Sequence, residues 1–172
     1  MRPISLFLCM CLGACTTPAA TVETTGATIG ALAQYRTFSF ESSAAPPPGF
    51  HDSARGPEVV DIAQTLAADA LGRRGLQHTS QDGDLVLVVS VGRRVVDKEK
   101  PLSRTSVAIT GDRVEIVQVP EGAILIDAYD RRTRATVWRG AATGEIDYDA
   151  SKLDRARAVK TIDSILERLP SR

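Results

Sequence analysis

Cysteine is missing from everything after residue 15 of this 172-residue chain, although Cys9, Cys11 and Cys15 crowd its beginning. The bulk of the protein therefore has no disulfide framework and no thiol chemistry. Cys9-x-Cys11 lies in an apolar run with no His, Asp or Glu nearby to complete a metal site. Histidine is scarce too. His51 falls in a Pro/Gly-rich loop and His78 just after a helical pattern, neither with a patterned carboxylate or nucleophile beside it, so both read as surface residues. No sign of charge dominates, with 21 basic against 21 acidic residues, so nothing argues for a nucleic-acid partner. Aromatic residues make up only 5%. No apolar stretch approaches the roughly 20 residues that cross a bilayer as a helix. Gly-x-Ser-x-Gly, a P-loop and a metal-spaced His/Cys set are all lacking. The expectation is a protein with no catalytic residues, no cofactor and no metal.

What the chain does have is an address. Arg2 supplies a minimal positive start, Ile4 to Leu12 an apolar core, and Gly13-Ala14 the small residues that a signal peptidase requires. Leu12-Gly13-Ala14-Cys15 resembles the lipobox of bacterial lipoproteins, in which the cysteine thiol receives diacylglycerol before cleavage on its N-terminal side. Residues 1–14 are thus expected to be a signal peptide and Cys15 the lipidation site, a palmitate-type membrane anchor facing the periplasm. Thr16 in place of Asp favours the outer membrane, by resemblance to Gram-negative sorting rules. Losing residues 1–14 removes one charge, Arg2, so the mature chain stays close to neutral and acyl chains, not electrostatics, carry the attachment. Residues 15–33, small and rich in Thr and Ala, read as the lipidated Cys followed by a flexible tether.

From residue 34 to 172 the pattern is that of one α+β domain. Tyr35 to Phe40 alternates, with Phe38 and Phe40 pointing inward. Ala44 to Phe50 carries three prolines and a glycine and must be a loop. Pro57 to Arg74 reads as a helix: Pro57 suits the first turn, Glu58 the dipole, and Gly75 the stop, while Val59, Ile62, Leu66 and Ala70 form its apolar face. Leu85 to Val89 is apolar on both faces, the mark of a central strand. Ser106 to Val119 predicts a hairpin turning at Gly111-Asp112. Gly122 to Tyr129 and Ala135 to Tyr148 predict a further strand pair, and Ser151 to Leu169 a closing helix striped by Val159, Ile162, Leu166 and Leu169. The expected architecture is a single, mostly antiparallel sheet of five to six strands with two helices on one face.

Together the lipobox, Tyr35-x-Thr37-Phe38, the helix ending in Gly75-Leu76, Asp84-Leu85-Val86, Gly122 to Asp127, Asp130-x-x-Thr133, Trp138-Arg139-Gly140 and the final Leu169-Pro170 resemble the bacterial lipoprotein family called domain of unknown function 4136. The resemblance implies an envelope lipoprotein domain and supplies no catalytic residues. Three residues stand out as ligand or structural candidates. Trp138 is either a ligand platform or a core anchor. Asp127 sits within an apolar strand, and Arg139 on the neighbouring strand is its candidate partner. Asp130, Asp147 and Asp149 suit turn, strand and helix-start positions, although paired carboxylates are also a catalytic arrangement. Arg131, Arg132 and Arg134, like Arg93 and Arg94, are either solvated or a grip for an anionic headgroup. The expected partners are a membrane, through Cys15, and an envelope protein; the alternative is a module binding lipid or a small apolar ligand on the sheet face opposite the helices.

Overall fold

The computed structural model describes residues 20–26, 30–43, 45–101, 114–146 and 153–171. Six strands form one mixed sheet. In chain order they are β1 (Thr21–Gly26), β2 (Thr37–Ser42), β3 (Gln77–His78), β4 (Leu85–Pro101), β5 (Val114–Asp130) and β6 (Thr136–Glu145), with α1 (Gly56–Arg73) between β2 and β3 and α2 (Arg155–Leu166) at the end. Across the sheet the order is β1-β6-β5-β4-β2-β3. The expected α+β sheet with two helices on one face is what the chain forms, and β4 is central as its two-sided apolar pattern requires.

Alternation explains the two faces. Leu85, Leu87 and Val89 of β4 join Ile126 and Ala128 of β5 and Trp138 and Ala142 of β6 in the main core, under Ile62, Ala63 and Leu71 of α1 and Ile162 and Ile165 of α2. The helices are lashed together at one end. The Arg74 guanidinium donates to the carbonyls of Ala70 (2.9 Å) and Leu169 (3.0 Å), and Gly75, at φ +81°, takes the left-handed turn that ends α1.

Three expectations need correction. The tether read over residues 15–33 includes a strand: Thr21–Gly26 pairs antiparallel with β6 along its whole length, from Thr21↔Thr143 to Gly26↔Trp138. Its Thr-rich sequence lacks strong alternation because it is an edge strand, mostly exposed. The hairpin read over Ser106 to Val119 is also revised. Its proposed turn lies outside the described residues, but Val114 to Val119 pairs with Val96–Pro101, so β5 is one strand with Gly122 to Tyr129 and forms a single long hairpin with β4. Pro120 does not break it. Its carbonyl accepts from the Ile146 amide at 2.9 Å, so its donorless nitrogen faces the same side, away from β4. Finally, α2 begins later than Ser151: Asp154 caps it, accepting from the Arg157 amide at 2.9 Å. Asp147 and Asp149 lie outside the described residues.

Candidate functional site

Trp138-Arg139-Gly140 sends its side chains to opposite sides of the sheet. Trp138 is 1% exposed and belongs to the main core. Its ring lies along β6 over Gly140, where an added Cβ would sit 2.5 Å from the ring's Cη2 and 2.4 Å from Cγ2 of Ile165 in α2. Glycine at 140 is thus the space into which the indole and α2 pack. The ligand-platform reading of Trp138 is thereby corrected: the ring is out of reach of solvent, and its Nε1 is buried without a hydrogen-bond partner.

Arg139 points the other way. It faces Asp127 directly across the β5–β6 ladder and binds it through both nitrogens, Nε to Oδ1 at 2.5 Å and Nη2 to Oδ2 at 3.0 Å. The pairing expected from the sequence is made, in the bidentate form that guanidinium and carboxylate favour. Bonding to Asp127 raises the Arg139 pKa further.

This face carries a lattice of such pairs. Arg134 reaches Glu41 of β2 at 3.3 Å and lies 4.6 Å over the Tyr129 ring. Arg94 meets Glu121 at 2.6 Å and covers Phe50. Lys98 meets Glu145 at 2.5 Å, and Arg131 pairs with Asp82. Burial, and the nearby Glu41 carboxylate after it, push the Tyr129 phenol upward. Of the arginines read as a grip for a headgroup, Arg94, Arg131 and Arg134 are therefore engaged within the protein. The loop ahead of α1 crosses the same face: a Cβ on Gly92 would lie 2.7 Å from Phe50 and 3.1 Å from Pro47. An apolar ligand surface on the open face, the site expected for the alternative reading, is not what the residues build.

At the β5–β6 turn, Asp130 accepts from the Thr133 amide (2.7 Å) and hydroxyl (2.9 Å), which hold its carboxyl below the usual range. Tyr35 donates to the same Asp130 at 3.2 Å, and burial foremost raises the phenol. Asp84 is held low by the Thr37 side chain and then the Arg36 amide, joining β2 to the start of β4. These carboxylates fasten turns and strand starts. Among the described residues no His, Cys, Asp or Glu set is grouped to hold a metal ion. Cys15 lies outside the described residues. His51 is exposed and bridges its backbone to Arg93; His78 is exposed but rests on Phe38, 5.1 Å between ring centroids.

One feature escaped the sequence reading. An apolar cavity of about 170 Å³ opens on the helix side, between the first turns of α1 and α2 and the sheet. Val59, Val91, Ile124, Ala142, Ile146 and Leu153 line it, with Arg55, Asp154 and Arg157 among its polar neighbours. Gly122 and Gly144 belong to its sheet wall, where side chains would fill the space. Those paired glycines were the available signal.

A family model described as domain of unknown function (DUF4136) matches residues 22–171. Among solved structures, the PelC dodecamer from Paraburkholderia phytofirmans is similar at 17% identity and TM-score 0.51, over 89% of this chain and 99% of that one. A DUF4136 family protein from Bacteroides thetaiotaomicron is similar at 10% identity and TM-score 0.50, over 88% and 96%. A PDZ domain protein from Parabacteroides distasonis matches at 12% identity and TM-score 0.52, over 90% of this chain and 37% of that one. No curated protein matches. Identities this low establish likeness of fold alone.

Proposed function

This chain belongs to the domain-of-unknown-function 4136 family, and from that membership we propose that it is a non-catalytic lipoprotein of a bacterial envelope. Its anchor is an acylated Cys15, its membrane the outer one where two are present, and it acts through protein or envelope contacts. The observation that carries this reading is Leu12-Gly13-Ala14-Cys15 at the end of an apolar signal, followed almost at once by a folded domain whose first strand starts at Thr21. The described carboxylates add support: Asp84, Asp127 and Asp130 are bonded to backbone amides, hydroxyls or a guanidinium, which leaves them structural work.

Intact-mass analysis of the mature protein tests the anchor. The expected mass is that of residues 15–172 plus diacylglycerol and an N-acyl chain, and a Cys15→Ser variant should leave the membrane fraction. A parent and variant that mature and fractionate identically defeat the proposal.

The cavity between the helices and the sheet favours a second reading, a module that takes a small apolar ligand. Its volume suits a handful of methylene groups. Native mass spectrometry of the domain purified from its envelope decides this: a retained small apolar species supports the module, and protein free of ligand removes it.

A further inference from the structure

The cavity on the helix side has a direction. Its floor begins with three cross-strand partners, Val91, Ile124 and Ala142, which the ladders set side by side in β4, β5 and β6. Two residues further along, the same strands place Gly122 opposite Gly144. Alternation turns both glycines to the helix side, so bare backbone floors this next stretch. The result is a trench, apolar at its inner end and without side chains along its middle. From Ala142 to Glu145 it runs about 10 Å, at the usual rise of a strand.

The outer end carries charge. Arg157, in the first turn of α2, donates from Nη2 to the carbonyl of Glu145 at 2.5 Å, and both residues line the cavity. Arg157 is partly buried, and among the described residues no carboxylate forms an ion pair with its guanidinium. The nearby carboxylates have other work. Asp154 accepts the Arg157 amide at 2.9 Å as the cap of α2. Glu145 alternates with Gly144, so its side chain turns to the open face, where Lys98 meets it at 2.5 Å. Arg55, at the start of α1, meets Glu58 at 3.8 Å. A guanidinium offers five donors in a planar fork, and a neutral carbonyl engages only one edge of it.

We propose that the cavity takes a medium-chain carboxylate, a single alkyl chain of about six to eight carbons whose carboxylate pairs with Arg157. This rests on the apolar-ligand reading above and gives that ligand a head and an orientation, tail toward Val91, Ile124 and Ala142. Volume sets the length. An apolar cavity of about 150 Å³ holds benzene, and the space here is about 170 Å³. A second chain does not fit, which excludes a whole diacyl lipid. Charge sets the head: a carboxylate adds charge-assisted hydrogen bonds to a guanidinium that otherwise meets a neutral acceptor.

The mature chain carrying Cys15→Ser, which needs no detergent, is titrated calorimetrically with octanoate, octan-1-ol and octyl phosphate below their aggregation limits. The expected result is saturable binding of one octanoate, about tenfold tighter than octan-1-ol. Arg157→Gln should remove that preference and leave octan-1-ol unchanged, and Arg157→Lys should restore part of it. Ala158→Leu fills the space from α2 and should abolish binding of both at an unchanged urea midpoint; Ala142→Val repeats the test from the sheet. Octan-1-ol bound as tightly as octanoate, with Arg157→Gln changing neither, overturns the carboxylate head and leaves the apolar-ligand module standing. Octyl phosphate bound more tightly than octanoate overturns the choice of carboxylate. Binding that survives in both filled variants overturns the site. Failure of octanoate and octan-1-ol alike to bind overturns the module itself, and this inference with it.

Discussion

Neighbouring residues of β6 live in opposite worlds. Trp138 lies in a dry layer between sheet and helices, while Arg139 lies among ion pairs half open to water. The dry side is held by shape: an indole fits only because position 140 has no side chain. The wet side is held by charge, in pairs whose cations stay nearly half open to water while Asp127 and Glu121 are more shielded. Packing in a close-fitted interior is unforgiving, whereas exposed ion pairs contribute little each. The two faces should therefore respond very differently to substitution.

The largest effect is expected at the indole. Trp138→Ala leaves a cavity beneath α2 and should cost about 3–5 kcal/mol in chemical denaturation. A loss below about 1 kcal/mol would mean the ring contributes little to the core. Gly140→Ala tests the same fit from the other side. The new methyl meets Trp138 and Ile165 at distances that force one of them to move, and a loss of about 1–3 kcal/mol is expected. On the wet face, a double-mutant cycle over Asp127→Asn and Arg139→Gln should return a coupling of only about 0.2–1 kcal/mol, smaller at high salt. A coupling that equals the Gly140 effect would erase the contrast between the faces. The smallest effect is on acid stability. Asp84 and Asp130 have carboxyls held below their usual range, so their contribution is complete above that range and is lost as the pH falls through the lowered values. Urea midpoints should decline below about pH 4, and Asp84→Asn should flatten the decline slightly.

Elements whose signals are local were legible in the sequence. Leu85 to Val89 announced a central strand, Pro57 and Gly75 bracketed α1 within one residue of its observed ends, and the Pro-rich stretch before α1 is the loop expected. Asp127 with Arg139 was legible because a charge in an apolar strand needs a partner opposite. Features set by distant neighbours were not. Thr21–Gly26 reads as coil because an exposed edge strand has one partner and no apolar face to display. The true extent of β5 was hidden by Pro120, whose tolerance depends on Ile146 and on where β6 ends. The cavity required knowing that Gly122 and Gly144 lie side by side in the β5–β6 ladder.

The sheet also closes a circle in time. Among the described residues β1 is the first strand to be synthesised and has its one strand partner in β6, near the other end of the chain, and the carbonyl of Val22 accepts from Arg168 at 2.7 Å. Contacts so distant in sequence form late and slowly. The opening strand must therefore wait, unpaired, until almost the whole polypeptide has emerged. Under the acylation proposed for Cys15, that delay keeps the leading end open to the modifying chemistry while the rest of the chain emerges.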